Sequence, residues 1–335
     1  MDIFKIKFEA EFEAACLETF QYQFENTDVY RKFVQYLNIE PATVDTVEKI
    51  PFLPIEIFKR HIVLDKNYLA KDYFQSSGTT DMIQRSKHYI ADHQLYERSI
   101  IESFSQFIGN PEDYIFLGLL PNYSENRHSS LIYMVDRLMN ISGKKENGYF
   151  LYDHAGLFNL LENLTDKKVL LFGVSFALLD FLEFASMSGR KMPQMPHLTV
   201  IETGGMKGRK EEMTKEQLLQ LLQLGFATDR IFSEYSMTEL LSQAYSIENQ
   251  IYQTPNWMKI LIRSTEDPFS YLPENKNGAI NIIDLANRHS CSFIATQDLG
   301  KTVENTRATK LLHPGFQVLG RIDHSDIRGC SLLVS

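Results

Sequence analysis

Apolar residues near the start of the chain recur at helical spacing. Phe8, Phe12, Ala15, Cys16 and Phe20 fall on one stripe, with Glu9, Glu11, Glu13 and Glu18 elsewhere around the helix. Cys16 lies on that stripe and reads as a buried thiol rather than a reactive one. Pro51-Phe52-Leu53-Pro54 then interrupts helix formation and reads as a rigid connector. From residue 87 to about residue 235 strand and helix patterns alternate. Strands are expected at 114–119, 169–174, 199–202 and 230–234, with helices at 92–107, 129–141, 176–187 and 214–224. Such alternation predicts layered α/β structure around a largely parallel sheet. Beyond Ile247 the pattern changes to short apolar runs at 258–262, 279–283, 292–295 and 316–319, separated by polar turns. An antiparallel or barrel-like β subdomain is expected there.

Composition narrows the range of ligands. The 335 residues carry 34 Lys and Arg against 43 Asp and Glu, a net charge of −9. That balance argues against nucleic acid as a partner, because binding a phosphate backbone needs clustered basic side chains. A small anion remains compatible, since only local charge matters there. The three cysteines, Cys16, Cys291 and Cys330, show no paired spacing, which fits a reducing cytoplasm. Neither a signal peptide nor an apolar run of membrane-spanning length is visible. The expectation is a cytoplasmic protein without a transmembrane segment.

Candidate chemistry begins at Phe74-Gln75-Ser76-Ser77-Gly78-Thr79-Thr80, followed by Arg85 and Lys87. Four hydroxyl side chains around one glycine suit a phosphate cradle, since glycine permits φ > 0, backbone N–H groups can face an anion, and hydroxyls reach Mg²⁺. An ordinary turn has the same composition. No Gly-Lys-[Ser/Thr] follows, so this is not a Walker A loop. Ile201-Glu202-Thr203-Gly204-Gly205-Met206 places paired glycines after a strand, where a flat ring could lie against bare backbone. Glu234-Tyr235-Ser236-Met237-Thr238-Glu239 also follows a strand, at the edge where open α/β sheets place ligands. Asp298 and Gly320-Arg321-Ile322-Asp323 complete the set. Each piece alone also reads as a solvated turn. His289 and Cys291 lack further ligands in register for a metal site, and His88, His128 and His154 show no interpretable spacing.

Taken in order, these motifs resemble the adenylate-forming superfamily of acyl- and aryl-CoA synthetases. Within it the chain is similar to the acyl-protein synthetases (long-chain-fatty-acid–protein ligases) of the bacterial fatty-acid reductase system. Pro121-Asn122-Tyr123, Ser129-Ser130-Leu131, Phe172-Gly173-Val174-Ser175-Phe176 and Arg328-Gly329-Cys330-Ser331 agree with the narrower family. The resemblance implies an α/β fold: the large domain of an adenylate-forming enzyme, with layered sheets plus a distorted β-barrel subdomain and without the small C-terminal domain. Residues 1–50 would be a helical segment packed on the main domain, 51–320 the large domain with 247–320 as its β-rich part, and 321–335 a hinge-like tail.

By the same resemblance Ser76, Ser77, Gly78, Thr79 and Thr80 would wrap the triphosphate of ATP. Gly204 and Gly205 would border the adenine pocket, with Tyr235 stacking on the base. Thr238 and Glu239 would serve the α-phosphate and Mg²⁺, with Glu239 as the metal ligand. Asp298 would bind the ribose hydroxyls, with Arg321 beside it. Cys330 would carry the acyl group before transfer to a reductase, transferase or carrier protein, although an apolar place in a final strand over 329–334 is the alternative. The Ser129-Ser130 pair and the aromatic run 172–184 would line the acyl pocket, or simply belong to the core.

The implied reaction joins a carboxylic acid to ATP as acyl-AMP and passes the acyl group to a thiol. An aryl- or acyl-CoA or carrier-protein ligase of the phenylacetate-CoA ligase type is the second reading, and a non-catalytic nucleotide-binding module the third. Two departures bear on these. Asp81 replaces a loop glycine and puts a carboxylate beside the expected triphosphate, and Ser236 replaces the glycine of Tyr-Gly-x-Thr-Glu.

Overall fold

In a computed structural model, the structure describes residues 1–77, 85–122, 124–204, 213–304 and 311–322. Its contacts divide the chain into two compact units, Met1–Leu69 with Asn256–Ser335, and Ala70–Pro255. The N-terminal helices group with the late strands.

The first unit opens with α1 (Glu9–Asn26) and α2 (Asp28–Tyr36). Phe12, Ala15, Cys16 and Phe20 of the expected stripe are all buried. Phe8 is not: it sits at the helix boundary, 66% exposed. There the Glu11 carboxylate folds back to accept from the Lys7 and Phe8 N–H groups at 2.8 and 3.3 Å, satisfying donors that the first turn leaves open. Burial pushes the Cys16 thiol pKa well up, as expected for a structural cysteine. The proline connector contains a short strand, β1 (Leu53–Pro54), which pairs in parallel with Ile294 and Ala295 at a sheet edge, where a proline removes no needed donor. A single turn, α3 (Ile57–Arg60), follows.

The second unit begins with a hairpin, β2 (Tyr73–Gln75) and β3 (Lys87–Tyr89). Then come α4 (His93–Phe107), β4 (Ile115–Leu119), α5 (Ser130–Ser142), β5 (Gly148–Tyr149), α6 (His154–Glu162) and β6 (Val169–Val174). The alternation continues through α7 (Ser175–Met187), β7 (Leu198–Thr203), α8 (Lys215–Phe226), β8 (Ile231–Tyr235) and β9 (Ala244–Ser246). These strands form one sheet in the order β5-β4-β6-β7-β8-β9, parallel except for β9. The four expected strands and four expected helices are found within two residues of their predicted ends.

Pleating gives each strand of this sheet two buried faces. Leu117, Leu171 and Val200 pack with Leu157, Leu178, Phe181 and Leu222 from α6, α7 and α8. On the opposite face Phe116 and Tyr245 meet the Phe104 ring of α4, with centroids 5.6 and 6.5 Å apart. Phe172 and Phe181 of the expected acyl-pocket run are fully buried, and Phe181 stacks on Phe226 at 6.1 Å. Ser129 caps α5 by accepting from the Ile132 N–H at 3.3 Å.

The first unit closes with β10 (Met258–Arg263), β11 (Gly278–Asp284), β12 (Phe293–Val303) and β13 (Gly315–Arg321). They are antiparallel and join β1 in a five-stranded sheet. β12 runs far beyond the expected 292–295. Polar residues 296–298 end the apolar run, but the ladder with β13 carries the strand on through an irregularity at Leu299 and Gly300. Glycine is required there, because a Cβ at Gly300 would lie 2.5 Å from the Gln317 carbonyl oxygen.

Candidate nucleotide site

The hydroxyl-rich loop springs from the β2–β3 hairpin, and Ser76 closes its neck. The Ser76 N–H donates to the Ser86 carbonyl at 3.1 Å, and its Oγ accepts from the Ser86 N–H at 3.2 Å. Ser76 Oγ thus already serves the fold, although its own proton is free to be donated. Ser77 leaves the neck toward the loop. Gly78, Thr79, Thr80 and Asp81 lie outside the described residues. Lys87 stands over the Tyr73 ring at 4.6 Å, and Tyr73 stacks on His128 at 4.4 Å with the planes 5° apart. His128 Nδ1 donates to the Tyr73 carbonyl at 3.0 Å, and the Gln75 N–H donates to the His128 carbonyl at 2.8 Å.

His88 pairs with Phe74 across the hairpin and points inward, 1% exposed. Its Nδ1–H donates to the Thr238 carbonyl at 2.9 Å. That bond anchors the loop-bearing hairpin to the Thr238-Glu239 turn that follows β8. Leu240 N–H donates to the Met237 carbonyl at 3.1 Å and tightens the turn. Glu239 is 5% exposed. Tyr235 packs beside Tyr252, ring centroids 5.7 Å apart.

Buried carboxylates mark the carboxyl ends of β7 and β8. Glu202 is 1% exposed. It accepts from Ser175 Oγ at 2.7 Å and Ser233 Oγ at 3.0 Å, and from Lys215 Nζ at the start of α8. On the other face Glu234 accepts from Thr203 Oγ1 at 2.7 Å. Gly204 follows directly, and a Cβ added to it would meet nothing within 4 Å, so close backbone packing does not explain that glycine. Gly205 and Lys207 lie outside the described residues.

In the first unit Asp298 and Arg321 face one another across β12 and β13, with Arg321 Nε 3.3 Å from Asp298 Oδ1. Arg321 is largely exposed, so the pair contributes little to stability. Cys330 lies outside the described residues. Cys291 is fully buried, its thiol pKa pushed up to about 12 by burial, and its Sγ donates to the Phe293 carbonyl at 3.3 Å. His289 is occupied with Tyr22, whose hydroxyl lies 3.2 Å from its Nδ1, so the His-x-Cys pair is built into the fold. Among the described residues no group of three or more His, Cys, Asp and Glu could hold a metal ion, and no helix is long and apolar enough to cross a membrane.

Sequence reading missed His88, Glu202 and Glu234. His88 carried no spacing signal because its partner is 150 residues away. Glu202 and Glu234 did carry one: acids inside apolar strand runs are seldom buried without a partner.

The fold is similar to that of solved adenylate-forming enzymes. It matches 2-hydroxyisobutyryl-CoA ligase in complex with 2-HIB-AMP and CoA, with a TM-score of 0.70 at 12% identity over 94% of this chain and 70% of that one. The luciferase-like enzyme of the nonluminescent mealworm Zophobas morio gives 0.53 at 12% identity, over 75% and 57% of the two chains. ATP-bound MatB from Rhodopseudomonas palustris gives 0.52 at 15% identity, over 74% and 47%. No curated protein matches the sequence. Residues 6–114 match the family described as "Acyl-protein synthetase, LuxE". The matched segment includes the N-terminal helices and the Ser76–Thr80 loop, whereas Tyr235, Thr238, Glu239, Asp298, Arg321 and Cys330 lie beyond it.

Proposed function

We propose that the protein activates a carboxylic acid with ATP and passes the acyl group to a thiol. The observation that carries this reading is the hydrogen bond from His88 to Thr238. It joins the base of the hydroxyl-rich loop to the Thr-Glu turn at the carboxyl end of a parallel sheet, where open α/β folds bind ligands. Gly78, Thr79 and Thr80, with Ser76 and Ser77 at the neck, offer backbone N–H groups and hydroxyls to the triphosphate. Tyr235 offers a face to adenine beside Gly204 and Gly205. Asp298, with Arg321, takes the ribose hydroxyls.

Mg²⁺ takes hard oxygen donors and is commonly held by one or two carboxylates together with substrate phosphates. The Glu239 carboxylate and the Thr238 hydroxyl are such donors, so the residues present fit the ion. When bound it would neutralise charge on the phosphates. The substrate carboxylate oxygen forms a bond to the α-phosphorus, the bond to the bridging oxygen breaks, and pyrophosphate leaves with that electron pair. The chain's own part is in-line positioning and charge stabilisation.

The narrower reading follows the resemblance drawn from the sequence motifs: a long-chain fatty acid as substrate, Cys330 as the acyl carrier, and a reductase, transferase or carrier protein as the final acceptor, in the cytoplasm. ATP–pyrophosphate exchange over a panel of fatty and aryl acids tests the proposal. Exchange stimulated by a fatty acid is the expected result. Stimulation by aryl acids alone would favour a ligase of the phenylacetate-CoA ligase type. No exchange with any acid would leave a nucleotide-binding module and refute the adenylation reading.

A further inference from the structure

The exits of β7 and β8 are tied together by a carboxyl group to which the ordered motifs assign no role. Glu234 immediately precedes Tyr235 and stands beside Thr203, the last residue of β7, in parallel register. Tyr245 of β9 is its partner on the other side. Glu234 is 3% exposed. Thr203 Oγ1 donates to its Oε2 at 2.7 Å, and the Ser236 hydroxyl reaches the same carboxyl group. One side chain therefore engages the residue before Gly204 and the residue after Tyr235.

We propose that Glu234 is a positioning residue, which holds Thr203 and Ser236 so that the Gly204 and Tyr235 backbones keep the spacing that ATP binding requires. The proposal rests on the adenylation reading. It also accounts for Ser236, where Tyr-Gly-x-Thr-Glu would have glycine. A serine hydroxyl spent on Glu234 is turned away from the base that Tyr235 would stack on.

The surroundings favour the neutral carboxyl. Burial raises the Glu234 pKa, the Ser236 and Thr203 hydroxyls oppose that rise, Glu202 of β7 adds to it, and Lys215 of α8 opposes it. Among the described residues no ion pair joins the group to a cation, and both Glu234 Oε1 and the Tyr245 hydroxyl are buried without a hydrogen-bond partner. Ionisation would leave an unpaired charge at the end of the sheet, a costly state away from water.

The test is calorimetric titration of the full chain with ATP and Mg²⁺, alongside thermal unfolding, for wild type, E234Q, E234A, T203V and S236G. Glutamine reproduces the neutral acid, so E234Q keeps wild-type affinity and loses any decline in affinity that wild type shows toward alkaline pH. E234A, T203V and S236G each weaken ATP binding, by about tenfold for E234A, the scale expected when binding groups are displaced. Should E234A fail to fold, T203V and S236G carry the measurement. Wild-type affinity in both T203V and S236G, or tighter binding in S236G because Ser236 merely crowds the nucleotide, would overturn the proposal and leave adenylation intact. Absence of ATP binding by the wild-type chain would instead overturn the adenylation reading, and this inference with it.

Discussion

His88 and Thr238, 150 residues apart, are joined by a 2.9 Å hydrogen bond in which the ring Nδ1–H meets the backbone carbonyl. The bond fixes the imidazole tautomer, because a carbonyl oxygen can only accept. It also makes the placement of the Ser76 neck depend on the turn after β8. His88→Phe removes the donor and leaves the Thr238 carbonyl unsatisfied, at a cost of about 1–3 kcal/mol in stability. His88→Asn places an amide donor close to the lost Nδ1 and recovers part of that loss. Under the proposed function, kcat/KM for adenylation falls about tenfold or more in H88F and less in H88N. Unfolding curves and pyrophosphate exchange on the two variants check this, and equal exchange rates in both would dissociate the bond from function.

Lys215 and Glu202 give a second test. The carboxylate is buried and the ammonium is about one-third exposed. Among the described residues, removing the cation alone leaves Glu202 with its two serine donors, and breaking buried pairs costs roughly 3–5 kcal/mol. Partial exposure of Lys215 brings the expected loss in Lys215→Met down to about 2 kcal/mol. Glu202→Gln in the same background recovers much of it. The double-mutant cycle is therefore expected to be non-additive, which chemical denaturation of the four proteins measures.

The alternating middle of the chain was legible in the sequence because buried parallel strands are short continuous apolar runs. Val169–Val174 and Leu198–Thr203 match expectation almost residue for residue. β12 was legible only at its start, because its second half is held by the ladder to β13 and not by an apolar pattern. The pairing of Asp298 with Arg321 was suggested by resemblance and stands in the structure as a cross-strand contact. The division into units escaped the sequence, since nothing local tells α1 that its partners lie beyond residue 255. His88 escaped for the same reason. Pattern reports which face a residue occupies, and long-range hydrogen bonds leave no pattern.

Glu9 sets an acid limit on the first unit. It lies 2.5 Å from Lys259 Nζ and 3.5 Å from His313 Nδ1. These partners, His313 foremost, hold its pKa at about 2 against the opposing effect of burial. A carboxyl depressed in the folded state binds fewer protons there than in the unfolded chain. Its contribution is therefore complete above the ordinary glutamate range and is lost as pH falls toward about 2. The Glu9 side chain is 40% exposed, so solvent screening leaves roughly 1 kcal/mol for the group. Glu9→Gln is expected to lower stability by that amount at neutral pH, with the two unfolding curves converging in acid. A constant difference across the range would mean that packing, not charge, holds the helix to β10.

Cys330 offers the sharpest separation of the proposed chemistry from its alternatives. A thiol carrying the acyl group exchanges the carboxylic–phosphoric mixed anhydride of acyl-AMP for a thioester: sulfur bonds to the acyl carbon, AMP leaves with the electron pair, and the thiol proton goes to solvent. Incubation with ATP, Mg²⁺ and the activating acid is then expected to add one acyl mass to the tryptic peptide containing Cys330. Hydroxylamine removes a thioester, and Cys330→Ser abolishes the labile adduct while pyrophosphate exchange continues, because adenylation precedes transfer. Cys16 and Cys291 serve as internal controls: both are buried, with thiol pKa values raised by burial, and neither is expected to label. An adduct that persists in C330S would place the acceptor elsewhere. Exchange that disappears together with the adduct would show that Cys330 supports the adenylation step itself.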